Sequence, residues 1–264
     1  MKYTDSHCHI DFKEFDLNRQ EILAQSQALH INNIVVPAIG PGNWQAVLQL
    51  CQEYSTNDFT LHPCLGVHPW FLQTLTIDDL QNLANIIDQN SKQLCAIGET
   101  GIDGVIAKQQ NNLTKQIQFF DFQLELAVKH NLPVIVHHRR SHNEVIERIK
   151  KFRLPKAGVI HAFSGSYQQA KTYLELGFKL GIGGTITYPR AMKTIKAIKR
   201  LPLDCFVLET DAPAMPLFNQ QGEANSPLNI IKIFDALCDL RPENNEHIAQ
   251  TIEKNAKQLF QFNL

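Results

Sequence analysis

Met1-Lys2-Tyr3-Thr4-Asp5-Ser6-His7-Cys8-His9-Ile10 is the stretch on which the fold turns. Residues two apart on an extended strand face the same way, so His7 and His9 aim together while Cys8 faces the opposite side. Two imidazoles so arranged are half of a metal site, yet an isolated His-x-His is equally a pair of packed or surface histidines. Companions elsewhere decide the matter. Glu99 closes Ala96-Ile97-Gly98-Glu99, His137 closes Pro133-Val134-Ile135-Val136-His137, His161 closes Gly158-Val159-Ile160-His161, and Asp211 closes Phe206-Val207-Leu208-Glu209-Thr210-Asp211. Each ends a short apolar run, which is where a parallel α/β barrel gathers its reactive groups.

Outward from there, strands and helices alternate. After the first strand, the spacing predicts strands over Asn33–Ile39, Thr60–Val67, Leu94–Glu99, Pro133–His137, Ala157–Ala162, Phe178–Ile182 and Cys205–Asp211. Helices fall over Asn18–His30, Trp44–Tyr54, Ile77–Gln89, Glu144–Phe152, Ser166–Leu176, Ala191–Arg200, Pro227–Asp239 and Glu243–Phe260. A further helix follows from the stripe Leu113, Ile117, Phe120, Leu124 and Ala127, stopped before Pro133. Ser166 stands in an N-cap position. The rhythm predicts an α/β fold, a TIM-type (β/α)8 barrel forming one domain over residues 1–264. A doubly wound open sheet is the alternative. The candidate ligands lie on the first, fourth, fifth, sixth and eighth strands, and only a closed barrel brings all those ends to one mouth.

Parity allows the convergence: Ile97 with Glu99, Ile135 with His137, Val159 with His161, and Glu209 with Asp211 are each read on one strand face. Taken singly, each polar residue is a cap or a satisfied core group. Taken jointly, ionisable groups repeating at strand ends are expensive to bury without a metal or partners. The composition narrows the class further. With 264 residues, 44% hydrophobic content and a formal net charge of -1, the chain has no global field to attract nucleic acid, which excludes a passive DNA coat. Phosphate affinity must come from local groups or bound cations. Six cysteines lie without a CxxC, which reads as buried thiols in a reducing compartment. Polar Lys2 to His9 precede any apolar run, and none approaches membrane-spanning length, so a cytoplasmic protein without a membrane partner is expected.

His7-Cys8-His9, Gly66-Val67-His68-Pro69, Gly98-Glu99-Thr100-Gly101-Ile102-Asp103, His161-Ala162-Phe163-Ser164-Gly165, Glu209-Thr210-Asp211-Ala212-Pro213 and Asn255-Ala256-Lys257-Gln258-Leu259-Phe260 together resemble the TatD family of metal-dependent deoxyribonucleases. His137 to His142 and Gly183 to Arg190 resemble its YjjV-like branch. The resemblance runs end to end. It implies a barrel hydrolase with two divalent cations, His7, His9, Glu99 and Asp211 around one, and Glu99, His137 and His161 around the other. Glu99 would bridge, since a carboxylate has two oxygens and an imidazole one free nitrogen. Catalysis would rest on Glu99 and Asp211, the latter orienting or deprotonating the attacking water. Four imidazoles suit zinc or manganese, whereas magnesium prefers oxygen donors, and the set is read as admitting Zn, Mn or Mg.

A second tier reads as substrate contacts. His68 ends the third strand, Arg139 lies two residues past His137 and can fork phosphate oxygens, His142 follows it, and Ser164 sits where a strand turns into a helix. Trp70, Phe71 and Tyr188 follow strand ends and are read as rim packing or base platforms. Arg190, Lys193, Lys196, Lys199 and Arg200 form a basic stripe, read as a solvated helix face. DNA is the expected substrate, taken from strand ends because a deep mouth admits a terminus more readily than a continuous duplex. The competing reading is an amidohydrolase acting on a C–N or ester bond. A carboxylated lysine after the fourth strand is common there, whereas here that strand ends in Glu99.

Overall fold

The computed structural model describes residues 1–262. Eight strands alternate with helices in chain order: β1 (Tyr3–Asp5), α1 (Arg19–Ala28), β2 (Ile31–Pro37), α2 (Trp44–Tyr54), β3 (Thr60–Leu65), α3 (Ile77–Asn90), β4 (Ala96–Asp103), α4 (Gly104–Gln110), α5 (Leu113–His130) and β5 (Val134–Arg139). Then come α6 (His142–Phe152), β6 (Gly158–Ile160), α7 (Tyr167–Glu175), β7 (Lys179–Ile182), α8 (Met192–Ile198), β8 (Phe206–Leu208), α9 (Ile230–Leu240) and α10 (Asn245–Phe260). The strands pair in parallel in the order β1 to β8. Backbone bonds from β1 to β8 close the cylinder: Ser6 N–H donates to Leu208 O at 2.9 Å, Asp211 N–H to His7 O at 2.9 Å, and His9 N–H to Ala212 O at 2.8 Å. Asp5 stitches the same seam, accepting from Thr210 N–H at 2.9 Å and Thr210 Oγ1 at 2.6 Å.

Strand alternation divides the apolar residues into two layers. Val35, Cys64, Ala96, Ile135, Val159 and Val207 fill the lumen, and Ala256, Leu259 and Phe260 of α10 with Phe262 plug its lower end. Their strand neighbours Ile34, Val36, Leu65, Ile97, Val136, Ile160, Phe206 and Leu208 face outward into the helix layer. Period-2 alternation thus makes each strand's upper lumen position part of the mouth. Ser166 caps α7 as expected, in a capping box with Gln169.

Three readings are corrected here. Ile97 and Glu99 do not share a face, because the β4–β5 register shifts between Ile97 and Thr100. Ile97 packs outward and Ala96 inward, so the irregularity is what turns Glu99 into the lumen. β4 continues to Asp103 rather than stopping at Glu99, and Gly104–Gln110 is a helix with no stripe to announce it. That short helix is set by Asp103, whose carboxylate accepts from Val105 and Ile106 N–H at 2.8 and 2.9 Å.

Candidate metal centre

The carboxyl ends of β4, β5 and the segments after β1, β3, β6 and β8 deliver one buried cluster. His7 Nε2 and His9 Nε2 face each other at 3.2 Å. Glu99 Oε2 lies 3.2 Å from the first and 3.4 Å from the second, and Asp211 Oδ1 lies 3.6 and 3.7 Å from them. A tetrahedral shell with bonds of about 2.0–2.1 Å has donor–donor edges of about 3.4 Å, so His7 Nε2, His9 Nε2 and Asp211 Oδ1, 3.2 to 3.7 Å apart, match three corners for one small divalent cation, with Glu99 Oε2 beside the two imidazoles. The other oxygen of the same carboxylate serves a second group: Glu99 Oε1 lies 3.2 Å from His137 Nδ1, 3.1 Å from His68 Nε2 and 3.6 Å from His161 Nε2.

Hydrogen bonds to the far ring nitrogens fix which imidazoles offer a lone pair. His9 Nδ1 lies 3.1 Å from Pro37 O and His137 Nε2 3.0 Å from Asp103 Oδ2, both hydrogen-bonded, while His161 Nδ1 makes no hydrogen bond and has the Glu209 carboxylate as an ion-pair partner at 3.1 Å. Each partner is an acceptor, so the proton resides there and the opposite nitrogen turns a lone pair into the cluster. His68 is the opposite case. Its Nδ1 accepts from Trp70 N–H at 3.1 Å, so in the neutral ring the proton is on Nε2, pointing at Glu99 Oε1. His68 therefore stands among the donors by distance but is poised to donate a hydrogen bond instead of binding a cation.

Charge fits a cation as well. Burial opposes a proton on His161, but Glu209, Glu99 and Asp211 outweigh it and pull the imidazolium up to about 10. Burial likewise opposes ionisation of Glu99, yet His68, His161 and His7 hold it well below the usual carboxylate range. Burial, helped by the charges of Glu99 and Glu209, pushes Asp211 up to about 6 against the pull of His161 and His9. His68, buried, is driven down to about 4, in keeping with a neutral ring. Neighbouring carboxylates thus raise His9, His137 and His161, whereas burial lowers His7 and His68, and the protons on the first three are what a bound cation would displace.

His7, His9, Glu99, His137, His161 and Asp211 are thus brought together as a set. Arg139 ends β5 on the rim, exposed, its Nη1 3.9 Å from Asp103 Oδ2. Ser164 lies on the rim beside Thr194, the two hydroxyls 3.5 Å apart. His142 is not brought in: it opens α6 and packs edge-on against Tyr173 of α7, ring centroids 5.0 Å apart. Asp103 and Glu209 escaped the sequence reading as orienting groups. The signal for Glu209 was its two-residue spacing from Asp211, whereas Asp103 needed the β4 irregularity. Two glycines leave room for this arrangement. A Cβ on Gly181 of β7 would collide with the Glu209 carboxylate, and one on Gly101, at φ +139°, with the His137 backbone.

A closed (β/α)8 barrel with imidazoles and carboxylates converging at its carboxyl mouth defines a metal-dependent hydrolase of the TIM-barrel class. Residues 4–261 match the profile of the family described as TatD related DNase. An Escherichia coli (strain K12) protein described as uncharacterized metal-dependent hydrolase YjjV is 39% identical over 259 residues, 98% of each chain. Its crystal structure superposes with a TM-score of 0.93, again covering 98% of each chain. The human protein named deoxyribonuclease TATDN3 is 30% identical over 264 residues, 97% of this chain and 93% of that one. The chain belongs to the TatD-related DNase family.

Proposed function

We propose that this chain hydrolyses DNA phosphodiester bonds from strand ends, using two divalent cations held by His7, His9, Glu99 and Asp211 on one side and Glu99, His137 and His161 on the other. The observation that carries the reading is Glu99, whose Oε2 lies 3.2 and 3.4 Å from His7 and His9 and whose Oε1 lies 3.2 and 3.6 Å from His137 and His161. When bound, such a pair of cations would supply water activation and charge neutralisation for an in-line phosphoryl displacement. The mixed nitrogen and oxygen donors favour zinc or manganese over magnesium.

The chain's own groups divide the remaining work. Asp211, its pKa raised toward neutrality chiefly by burial and its basicity with it, accepts the proton of the attacking water. His68 donates from Nε2 to a phosphate oxygen entering beside Glu99. Arg139 forks a phosphate oxygen from the rim, and Ser164 contributes a hydroxyl. Asp103 and Glu209 hold His137 and His161 in their ligating tautomers. Five buried thiols and one half-buried, none paired among the described residues, support work in the reducing cytoplasm. Among the described residues no helix is long and apolar enough to cross a membrane.

The test is turnover of end-labelled single-stranded DNA against small amides, cyclic ureas and lactones under one metal titration. Metal-dependent DNA cleavage from an end is expected. Turnover of the amides or lactones with none of the DNA would replace the nuclease reading with the amidohydrolase one.

A further inference from the structure

At the lower end of the barrel, opposite the donor cluster, two thiols meet that the chemistry above does not use. Cys64 of β3 and Cys95, the residue before β4, place their Sγ atoms 3.2 Å apart, in contact and unbonded. Both belong to the lumen layer that Phe260 and Phe262 plug. β3 and β4 pair in parallel with Cys64 opposite Ala96, so Cys95 is its diagonal neighbour across the rung. Strands about 4.8 Å apart, rising about 3.3 Å per residue, put diagonal Cα atoms about 5.8 Å apart. That lies inside the span of about 4.4–6.8 Å that a disulfide bridges. The two sulfurs are not equally accessible. Cys64 is 0% exposed and Cys95 8%, so a small solute entering from below meets Cys95 first. Burial, and after it the contact with Cys95, holds the Cys64 thiol well above the ordinary range, which keeps it protonated.

We propose that Cys64 and Cys95 are a peroxide-oxidisable dithiol that closes, in the folded protein, into a reversible disulfide clasp across β3 and β4. Cys95, as thiolate, attacks one oxygen of hydrogen peroxide. The O–O bond breaks, an S–O bond forms, and the departing hydroxide takes up the proton that the thiol released, leaving as water. The Cys64 sulfur then attacks the Cys95 sulfur. The S–O bond breaks, the S–S bond forms, and the second hydroxide leaves as water with the Cys64 proton. Two thiols give up two electrons and two protons, and one peroxide receives them. A dithiol such as dithiothreitol reverses the change by becoming a cyclic disulfide itself. The clasp holds an existing spacing. Above the Cys64–Ala96 and Leu65–Ile97 rungs, Gly66 backs directly onto β4, where a Cβ would come within 2.6 Å of the Gly98 carbonyl carbon. The strands already stand as close as their backbones permit, so the bond restrains the unfolded chain and leaves Glu99 where it is.

The test treats reduced protein, with its metal bound, with a small excess of hydrogen peroxide. Free thiols are then alkylated and counted under denaturing conditions, and proteolytic peptides are weighed. The thiol count should fall from six to four. One cross-linked pair of peptides should carry Cys64 and Cys95, two hydrogens lighter than their sum, and dithiothreitol should restore both thiols. The oxidised protein should keep its metal and melt about 6–12 °C higher than the reduced protein. Two variants divide the steps. In Cys64→Ala the Cys95 sulfenic acid has no thiol to resolve it and should be trapped by a 1,3-dione, whereas Cys95→Ala should leave Cys64 unmodified. Mapping the wild-type cross-link needs neither variant to fold. Loss of no thiol from the folded protein, a cross-link between other cysteines or between two chains, or sulfinic acid at Cys95 beside a free Cys64 overturns the proposal. So does a Cys64–Cys95 bond that expels metal or leaves the midpoint unraised, because that bond would form only by distorting the barrel.

Discussion

Glu99 and Asp211 are both carboxylates facing His7 and His9, yet substitution should separate them. Glu99 uses both oxygens, so Glu99→Gln puts a neutral amide where two donor groups need a shared anion, and metal stoichiometry and DNA turnover should fall together. Asp211 sits at φ +55°, a conformation that asparagine also tolerates, pinned by its N–H bond to His7 O. Asp211→Asn therefore keeps the backbone and removes the proton acceptor, for an expected loss of about 10² to 10⁴ in rate at full metal occupancy. Excess metal should rescue Glu99→Gln further than Asp211→Asn; equal rescue of both would contradict the division of roles. Cys8 makes the complementary case. It lies between two ligands but is fully buried in the outward layer, and burial pushes its thiol well above the ordinary range, away from the thiolate that binds metal. Cys8→Ser should retain wild-type metal content, measured beside His7→Ala; comparable loss in the two would mean that Cys8 ligates.

The strands show how one element makes space for another's chemistry. Gly181 of β7 pairs in register with Val207 of β8, and its missing Cβ is the volume that the Glu209 carboxylate occupies beside His161. Gly181→Ala should push Glu209 aside and release His161 Nδ1. Loss of such a supporting partner typically weakens metal binding by about 10- to 100-fold, and the overpacked core should cost about 1–3 kcal/mol. Glu209→Gln should reproduce the metal effect with less of the stability effect; a Gly181→Ala protein with wild-type metal affinity would remove Glu209 from its supporting role. What the sequence displayed at this scale was what obeys a period. His7 and His9, Ile135 and His137, and Val159 and His161 alternate strictly and were legible. Glu99 pointed the right way for a reason that alternation hides, the register shift in β4. The orienting role of Asp103, the bond that anchors Trp70 to it and the tautomer of His68 were illegible because each depends on a partner from another strand or turn.

The whole barrel has an active end and a sealed end, and acid should act differently on the two. At the sealed end, His62 of β3 stacks under Phe262, ring centroids 3.7 Å apart, with Nε2 2.9 Å from Asn33 Oδ1. Burial drives its pKa down to about 3, so the folded protein keeps this ring neutral where an unfolded chain would protonate it near 6.5. A depressed folded value means that the unfolded state binds the extra proton. The contribution of His62 is therefore fully present above about pH 6.5 and drains away as the pH falls toward 3. At the active end the sign reverses for His161, held up to about 10, whose contribution is present below its ordinary value and lost as the pH rises. A single titration of stability mixes these opposing slopes, and a difference between variants separates them. His62→Gln keeps an amide donor for Asn33 and cannot be protonated. In denaturant unfolding of metal-free protein at pH 7.5 and 4.5, the wild type should lose up to about 2.7 kcal/mol more than this variant, the two-unit limit at 1.36 kcal/mol per unit, with partial solvent access to the ring reducing it. Identical pH dependence in the two proteins would show that the ring takes up its proton without leaving the fold, and that the plug formed by α10 and Phe262 does not exclude water from the lower end of the barrel.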